Sequence, residues 1–116
     1  LVAPHNFHLD TNMLELRPNC EWCDRDLPPH AAEARICTYE CTYCAKCVET
    51  VLKNVCPTCG GGFVPRPIRP QRAYHEKPLL GLQNQPASTK RVHSRWTAKQ
   101  LQDMTDKLKD VPPCDR

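Results

Sequence analysis

Residues 37–59 read CTYECTYCAKCVETVLKNVCPTC. Six cysteines fall within these 23 residues, separated by three, two, two, eight and two positions. The stretch CEWC upstream adds Cys20 and Cys23. Eight of the nine cysteines therefore form four pairs: Cys20/Cys23, Cys37/Cys41, Cys44/Cys47 and Cys56/Cys59. A C-x2-C turn can set two sulfurs on one ion at about 2.3 Å while nearby amides point at the sulfurs. Two pairs complete a tetrahedron, so four pairs make two closed four-cysteine sites. Such sites are structural, because no position is left for water or substrate. The pattern calls for two Zn²⁺; a single iron in an all-sulfur site is the lesser option.

Other uses of the cysteines fit less well. A disulfide framework needs an oxidising compartment, and LVAPHNFHLDTN has neither a basic start nor an apolar run of signal-peptide length. A redox C-x-x-C pair needs a thioredoxin-like βαβ context that the pattern lacks. An iron–sulfur centre and a scatter of unligated thiols are the remaining readings. No stretch approaches the roughly 18 apolar residues of a membrane span. The expectation is a cytoplasmic protein with reduced thiols and no membrane association. Residues 1–13 are expected to be an upstream extension or a cloning remnant, since Met13 opens the fluent sequence MLELRPNC.

The chain has 116 residues, twelve prolines and only seven Phe, Trp and Tyr side chains. A core of ordinary size is therefore not expected, and a scaffold this small needs staples. Charge divides it. Residues 1–59 carry eight acids and five bases, and residues 60–116 carry five acids and eleven bases. Each zinc held by four thiolates adds −2, so two such sites would bring the whole chain from +3 to about −1. The result is an acidic head and a basic tail.

The ordered unit is expected over residues 14–64. Within it, CVETVLKNVC predicts a short helix after Cys47, spanning about 48–54, with Val48, Val51, Leu52 and Val55 toward the core. Gly60, Gly61 and Gly62 permit the tight exit from the last pair. Residues 65–96 divide into a strap and a linker. The prolines of FVPRPIRPQR, Phe63 to Arg72, favour an extended polyproline-like strap, and residues 73–93 show no apolar period. Residues 97–111 predict an amphipathic helix. Thr97 and Gln100 fit a capping box, and Leu101, Met104, Leu108 and Val111 share a face. A helix of this length is marginal alone and should dock or fray. Pro112 and Pro113 stop it, leaving residues 112–116 as a tail.

The full pattern, C-x2-C-x13-C-x3-C-x2-C-x2-C-x8-C-x2-C, resembles the RING pattern at every gap, with Cys41 where histidine is common. LIM domains have a longer second finger and PHD fingers a wider middle gap. Spacing alone leaves two groupings open. Sequential pairing joins Cys20, Cys23, Cys37 and Cys41, then Cys44, Cys47, Cys56 and Cys59. Interleaved pairing joins Cys20, Cys23, Cys44 and Cys47, then Cys37, Cys41, Cys56 and Cys59. The RING resemblance implies the interleaved cross-brace, which also suits a chain with little core, because each ion ties both halves of the head together. It further implies a small metal-stabilised α+β fold. In ubiquitin ligases of this type a groove for the conjugating enzyme forms beside the second ligand and the last knuckle. By position that groove would use Trp22 and Pro57, with Val51 and Leu52 of the short helix. Gly60 departs from that pattern, since many active ligases carry a basic residue there.

A closer resemblance lies in LELRPNCEWCDRDLPP, ARICTYECTYCAKCVE and NVCPTCGGGFVPRPIRP. Together these look like a bacterial family of short cysteine-rich proteins labelled domain of unknown function 1272. The resemblance covers about Leu14 to Pro70. It implies a bacterial, zinc-binding, RING-like head with no assigned activity, and most bacteria lack ubiquitin.

No catalytic constellation stands out: no Gly-rich phosphate loop, no H-E-x-x-H, no carboxylate pair that can be placed in a pocket. The first expectation is a non-enzymatic zinc-binding module that mediates protein–protein interaction. The second is a nucleic-acid-binding regulatory protein. Arg66, Arg69 and Arg72 would line one side of the strap, and Lys90, Arg91, Arg95 and Lys99 form a second cluster; such patches bind phosphates or fold back on an acidic head. Tail aromatics for base stacking are few, namely Phe63, Tyr74 and Trp96. The third is a RING-type ubiquitin-like ligase component. Trp22 is expected to pack over a metal site or to anchor a partner. His30, His75 and His93 are expected in solvent, and Cys114 as an exposed thiol. Glu15 and Arg17 are expected to form an ion pair or a supporting hydrogen bond.

Overall fold

The computed structural model describes residues 13–116; the extension expected over residues 1–13 lies, apart from Met13, outside the described residues. Three short antiparallel strands form the sheet: β1 (Ala34–Ile36), β2 (Thr42–Cys44) and β3 (Val64–Pro65), in the order β2-β1-β3. Ala34 faces Cys44 and Ile36 faces Thr42 across β1 and β2, while Ile36 faces Val64 across β1 and β3. The β1–β2 hairpin is thus the turn that carries Cys37 and Cys41. Helix α1 (Ala45–Thr50) follows β2 directly.

Helix α1 starts earlier and ends earlier than the apolar spacing predicts. Cys44 is its N-cap, and the Cys47 amide donates to the Cys44 sulfur at 3.4 Å. The sulfur does what a serine or aspartate oxygen does at an ordinary N-cap. The helix stops at Thr50 because Lys53 and Asn54 take left-handed backbone, with φ of 51° and 61°. The expected 48–54 helix is therefore replaced by one and a half turns and a tight loop. Leu52 and Val55 leave that loop inward and are fully buried, while Val48 and Val51 pack only partly against the core.

Most of the core is sulfur and small side chains. Leu27, Ala31, Ala34, Tyr43, Leu52 and Leu101 join the cysteines in one buried cluster, and Phe63 packs edge-on to Tyr43 with ring centroids 5.5 Å apart. Leu101 comes from α2 (Ala98–Leu108), so the C-terminal helix docks on the head. Its capping box is formed: the Thr97 hydroxyl accepts from the Gln100 amide, and the Gln100 side chain accepts from the Thr97 amide. Leu101 is 2% exposed. Thr105, which the apolar period passes over, is buried too and donates its hydroxyl to the Leu52 carbonyl at 3.2 Å. Met104, Leu108 and Val111 are half-buried. Beyond the helix, Arg116 donates to the carbonyls of Val111, Asn54 and Gly60 at 2.8, 2.9 and 3.0 Å.

Residues 73–93, without an apolar period, still bind the head through polar groups. The Ser88 amide donates to the Glu15 carbonyl, and the Ser94 amide to the Glu21 carbonyl. Val92 exchanges two hydrogen bonds with the Asn19 side chain, at 2.8 and 3.1 Å. Arg91 clasps Asp24 and Asp26, and His93 reaches Asp24 at 2.9 Å, so His93 is engaged and not merely solvated. Among the described residues no helix is long and apolar enough to cross a membrane.

Two predictions follow from these contacts. Leu101→Ala truncates the buried apolar side chain that α2 inserts in the core and should cost about 2–5 kcal/mol. Denaturant unfolding reads this, together with loss of amide protection over residues 98–108; an unchanged midpoint would show that α2 does not rely on Leu101. Hydrogen bonds from His93 and Arg91 hold the Asp24 carboxyl below its usual range. That contribution is complete above the ordinary carboxylate pKa of about 3.9 and is lost as pH falls through the lowered value. Protection of the Val92 and Ser94 amides, measured as exchange relative to the intrinsic rate at each pH, should fall across that acid window and stay level above it.

Candidate metal centre

The sulfurs of Cys20, Cys23, Cys44 and Cys47 lie within 4.8 Å of one another, and those of Cys37, Cys56 and Cys59 form a second such group. The first pair meets the third and the second meets the fourth, so the grouping alternates along the chain. The Cys23 and Cys44 sulfurs are 3.8 Å apart. Four sulfurs placed tetrahedrally at 2.3 Å from zinc are separated by about 3.8 Å. The first cluster thus fits one four-coordinate ion. Cys41 lies outside the tight set of three, although Cys37 and Cys56 are the neighbours that act most on its thiol. All nine cysteines are free thiols.

Each knuckle is built by local backbone geometry. Amides point at sulfur at three places: Tyr39 to Cys37 at 3.3 Å, Cys47 to Cys44 at 3.4 Å and Gly61 to Cys59 at 3.4 Å. The turn residues beside the sulfurs are left-handed: Asp24 after Cys23, Glu40 before Cys41, and Gly60 after Cys59, with φ of 66°, 67° and 79°. Gly60 has a second constraint. A Cβ there would sit 3.0 Å from Leu108 Cδ1, so the exit of the last knuckle also makes room for α2.

The sulfurs titrate against each other. A hydrogen bond from Cys41 pulls Cys37 down to about 2, and that same bond pushes Cys41 up to about 11. Burial pushes Cys20 and Cys47 up, and the charge of Cys20 adds to the effect at Cys47. Neighbouring thiols share protons because adjacent thiolates repel at this distance. A divalent cation lifts that restriction, since every ligand can then ionise and metal binding releases protons. Closed, all-sulfur clusters of this chemistry suit a soft divalent ion held for structure.

Three buried polar side chains support the clusters, and the cysteine spacing contains no hint of them. Glu21, between two members of the first cluster, is 7% exposed. Its carboxylate accepts from the Thr42 amide at 2.6 Å and from Arg17 at 2.8 Å, while its own amide donates to the Thr42 carbonyl. It therefore ties the first knuckle to the residue after Cys41. Arg17 also reaches Glu15 at 3.3 Å, the ion pair expected there. Asn19 is fully buried and links the Cys20 carbonyl, Asp24 and Val92. The third is Arg66, 4% exposed, which donates to the carbonyls of Arg17, Leu27 and Pro28 at 2.8, 3.1 and 3.1 Å. Its Nε is buried with no partner, and burial alone lowers its pKa.

The other singled-out residues scatter. Trp22 is half-buried against the cysteine core. Leu52 and Pro57 are buried, and only Val51 joins Trp22 in keeping some accessible surface, so the four do not form an open groove. The reason is α2: Thr105 caps the Leu52 carbonyl, and the Trp96 indole donates to Thr58 beside Pro57 at 3.0 Å. The basic residues divide as well. Arg66 lies inside the fold, Arg69 donates to the carbonyls of Gln85 and Leu14, and Arg91 is bound to Asp24 and Asp26. Arg72, Lys90 and Arg95 stay exposed, with Arg95 lying 4.7 Å over the Trp96 ring. A continuous basic face of Arg66, Arg69 and Arg72 is thus not formed, because unpaired carbonyls of the head recruit the first two. His30, His75 and Cys114 are exposed.

Glu21→Gln tests the buried carboxylate. Hydrogen bonds to a charged group are worth about 1.5–3 kcal/mol, and a loss of that size should appear in denaturant unfolding of the metal-loaded protein. Equal stability of the variant would reduce Glu21 to a bystander.

A family model described as Protein of unknown function (DUF1272) matches residues 13–69. An uncharacterized protein of Rhizobium meliloti (strain 1021) is 56% identical over 80 residues, spanning 69% of this chain and 86% of that relative. No solved structure matches. The match to the family model runs from Met13 through Arg69 and takes in both sulfur clusters and the buried Arg66. The chain belongs to the DUF1272 family.

Proposed function

We propose that this protein is a non-enzymatic, RING-like module that holds two zinc ions in a cross-brace and serves protein–protein interaction in the cytoplasm. The observation that carries the reading is the alternation of the sulfur clusters. Cys20, Cys23, Cys44 and Cys47 would hold one ion. Cys37, Cys56 and Cys59 would hold the other, with Cys41 as the fourth sulfur. The ion's part is charge: it lets four thiolates ionise together. The chain does the rest. Knuckle amides orient the sulfurs, Glu21 ties the first knuckle to β2, and the small core buries Cys20, Cys44 and Cys47 in one cluster and Cys37 and Cys56 in the other. Apparent zinc stabilities are about 10–16 kcal/mol per structural site, and that energy would stand in for the apolar core this sequence lacks.

The placement of the other residues weighs among the alternatives. Arg66 and Arg69 are committed to carbonyls, which breaks the continuous cationic edge of the strap and disfavours nucleic acid. The groove that a ligase would present at Pro57 and Leu52 is covered by α2, which disfavours that reading.

Metal analysis of the purified chain tests the proposal, with two zinc ions per chain expected. The double variant Cys20→Ser/Cys44→Ser should keep one ion, because both changes fall in one site. Loss of both ions would mean sequential pairing. A compact, metal-free protein would end the reading altogether.

A further inference from the structure

The strap after the last knuckle is held by one edge only. Val64–Pro65, Arg66–Pro67 and Arg69–Pro70 are three X-Pro steps. Each proline fixes its own φ and turns the preceding residue to extended backbone. Side chains recur every three residues in such a chain, so Arg66 and Arg69 share one edge and Pro67 and Pro70 another. The arginine edge faces inward: Arg66 spans the carbonyls of Arg17, Leu27 and Pro28, and Arg69 those of Gln85 and Leu14 at 2.7 and 2.6 Å. The amides of Leu82 and Gln83 hold the Pro70 and Gln71 carbonyls at 2.8 and 3.0 Å. Pro67 and Pro70 face solvent, as does Ile68, which is 56% exposed. Arg72 ends the run, exposed and without an ion pair among the described residues.

We propose that residues 65–72 are a preformed ligand for the aromatic-lined groove of a proline-recognising protein domain, with a carboxylate of that domain taking Arg72. The order Pro67-Ile68-Arg69-Pro70-Gln71-Arg72 puts two prolines one extended turn apart and a free cation two residues on. Proline rings fill slots between aromatic side chains, and a strap whose backbone is already restricted by three X-Pro steps and tethered to the head loses little entropy on docking. Arginine tethers on the opposite edge add to that advantage, because the head holds the backbone while the proline edge stays open. The charge of Arg72 supplies direction, matching an acidic group at one end of the groove. The proposal rests on the reading of the chain as an interaction module and gives it a surface, since Leu52 and Pro57 are covered.

The test uses the full, isotope-labelled, zinc-loaded chain titrated with an isolated SH3 domain that takes Pro-x-x-Pro-x-Arg peptides. Saturable NMR shifts confined to residues 64–72 and their immediate neighbours are expected. Pro67→Ala/Pro70→Ala should weaken the interaction by about tenfold or more, equivalent to about 1.4 kcal/mol, and Arg72→Glu should do the same while leaving the prolines in place. Both variants should retain the parental zinc content. No saturable shift at millimolar domain would overturn the inference. So would affinity unchanged in either variant, or the same shifts on titration with single-stranded DNA. A zinc content below two ions refutes the proposed function, whereas two ions with a silent strap refute this inference alone.

Discussion

Seven cysteines converge on two clusters that alternate along the chain, Cys20, Cys23, Cys44 and Cys47 in one and Cys37, Cys56 and Cys59 in the other, and the rest of the head is arranged around that convergence. The first pair is 21 residues from the nearest sulfur partner it touches, the Cys23–Cys44 contact. Cys37 of the hairpin in turn reaches past α1 to Cys56 and Cys59. On the proposed reading an ion in each cluster would close a long loop, and the two loops would overlap. Overlapping closures restrict an unfolded chain far more than two closures side by side would, since neither half of the head can detach alone. Three strands of two or three residues and a six-residue helix do not hold together by themselves. They persist here as the connections between sulfurs.

The second layer is polar and asymmetric. Glu21, Asn19 and Arg66 are buried where a larger domain would place leucine or phenylalanine. Each satisfies backbone groups that the irregular knuckles leave unpaired, because knuckle backbone belongs to neither helix nor sheet. Glu21 and Asn19 both flank Cys20 and both take hydrogen bonds beyond their own turn, to Thr42 and to Val92. The cost of burying Arg66 without a carboxylate is met by three carbonyls and by its place in an acidic head. On the proposed reading, that head becomes more acidic when thiolates hold zinc, so the inward arginines and the sulfur sites suit one another electrostatically.

Residues beyond the family match add a covering layer. Helix α2 contributes Leu101 and Thr105 to the core, and Trp96 ties the approach to α2 onto the last knuckle. The surface that comparison with RING domains would mark as a groove is thereby closed by the chain itself. The proline edge of the strap, on the contrary, is left open by the way its arginines turn inward. Covering one face and presenting another is a consequence of where polar and apolar groups alternate along residues 63–111.

Pairing of the cysteines and the capping box at Thr97 were legible in the linear sequence, because each depends on residues within a few positions of each other; the end of the C-terminal helix was not, since it stops at Leu108, short of the Val111 expected before Pro112. The positions of the X-Pro steps that restrict the strap were legible as well, since proline acts on its own backbone. Which pairs meet was not derivable from spacing: any C-x2-C turn can face any other, and only the fold of the hairpin brings Cys44 to Cys23. Nor could the chain order reveal that Arg66 points inward, that Glu21 is buried, or that residues 73–93 cling to the head. Those outcomes hang on carbonyls and amides exposed by distant turns, and such groups carry no side-chain signature. Local chemistry thus determined what the pieces are, and tertiary structure decided which of them touch, because satisfying a buried polar group is a question about the whole surrounding shell.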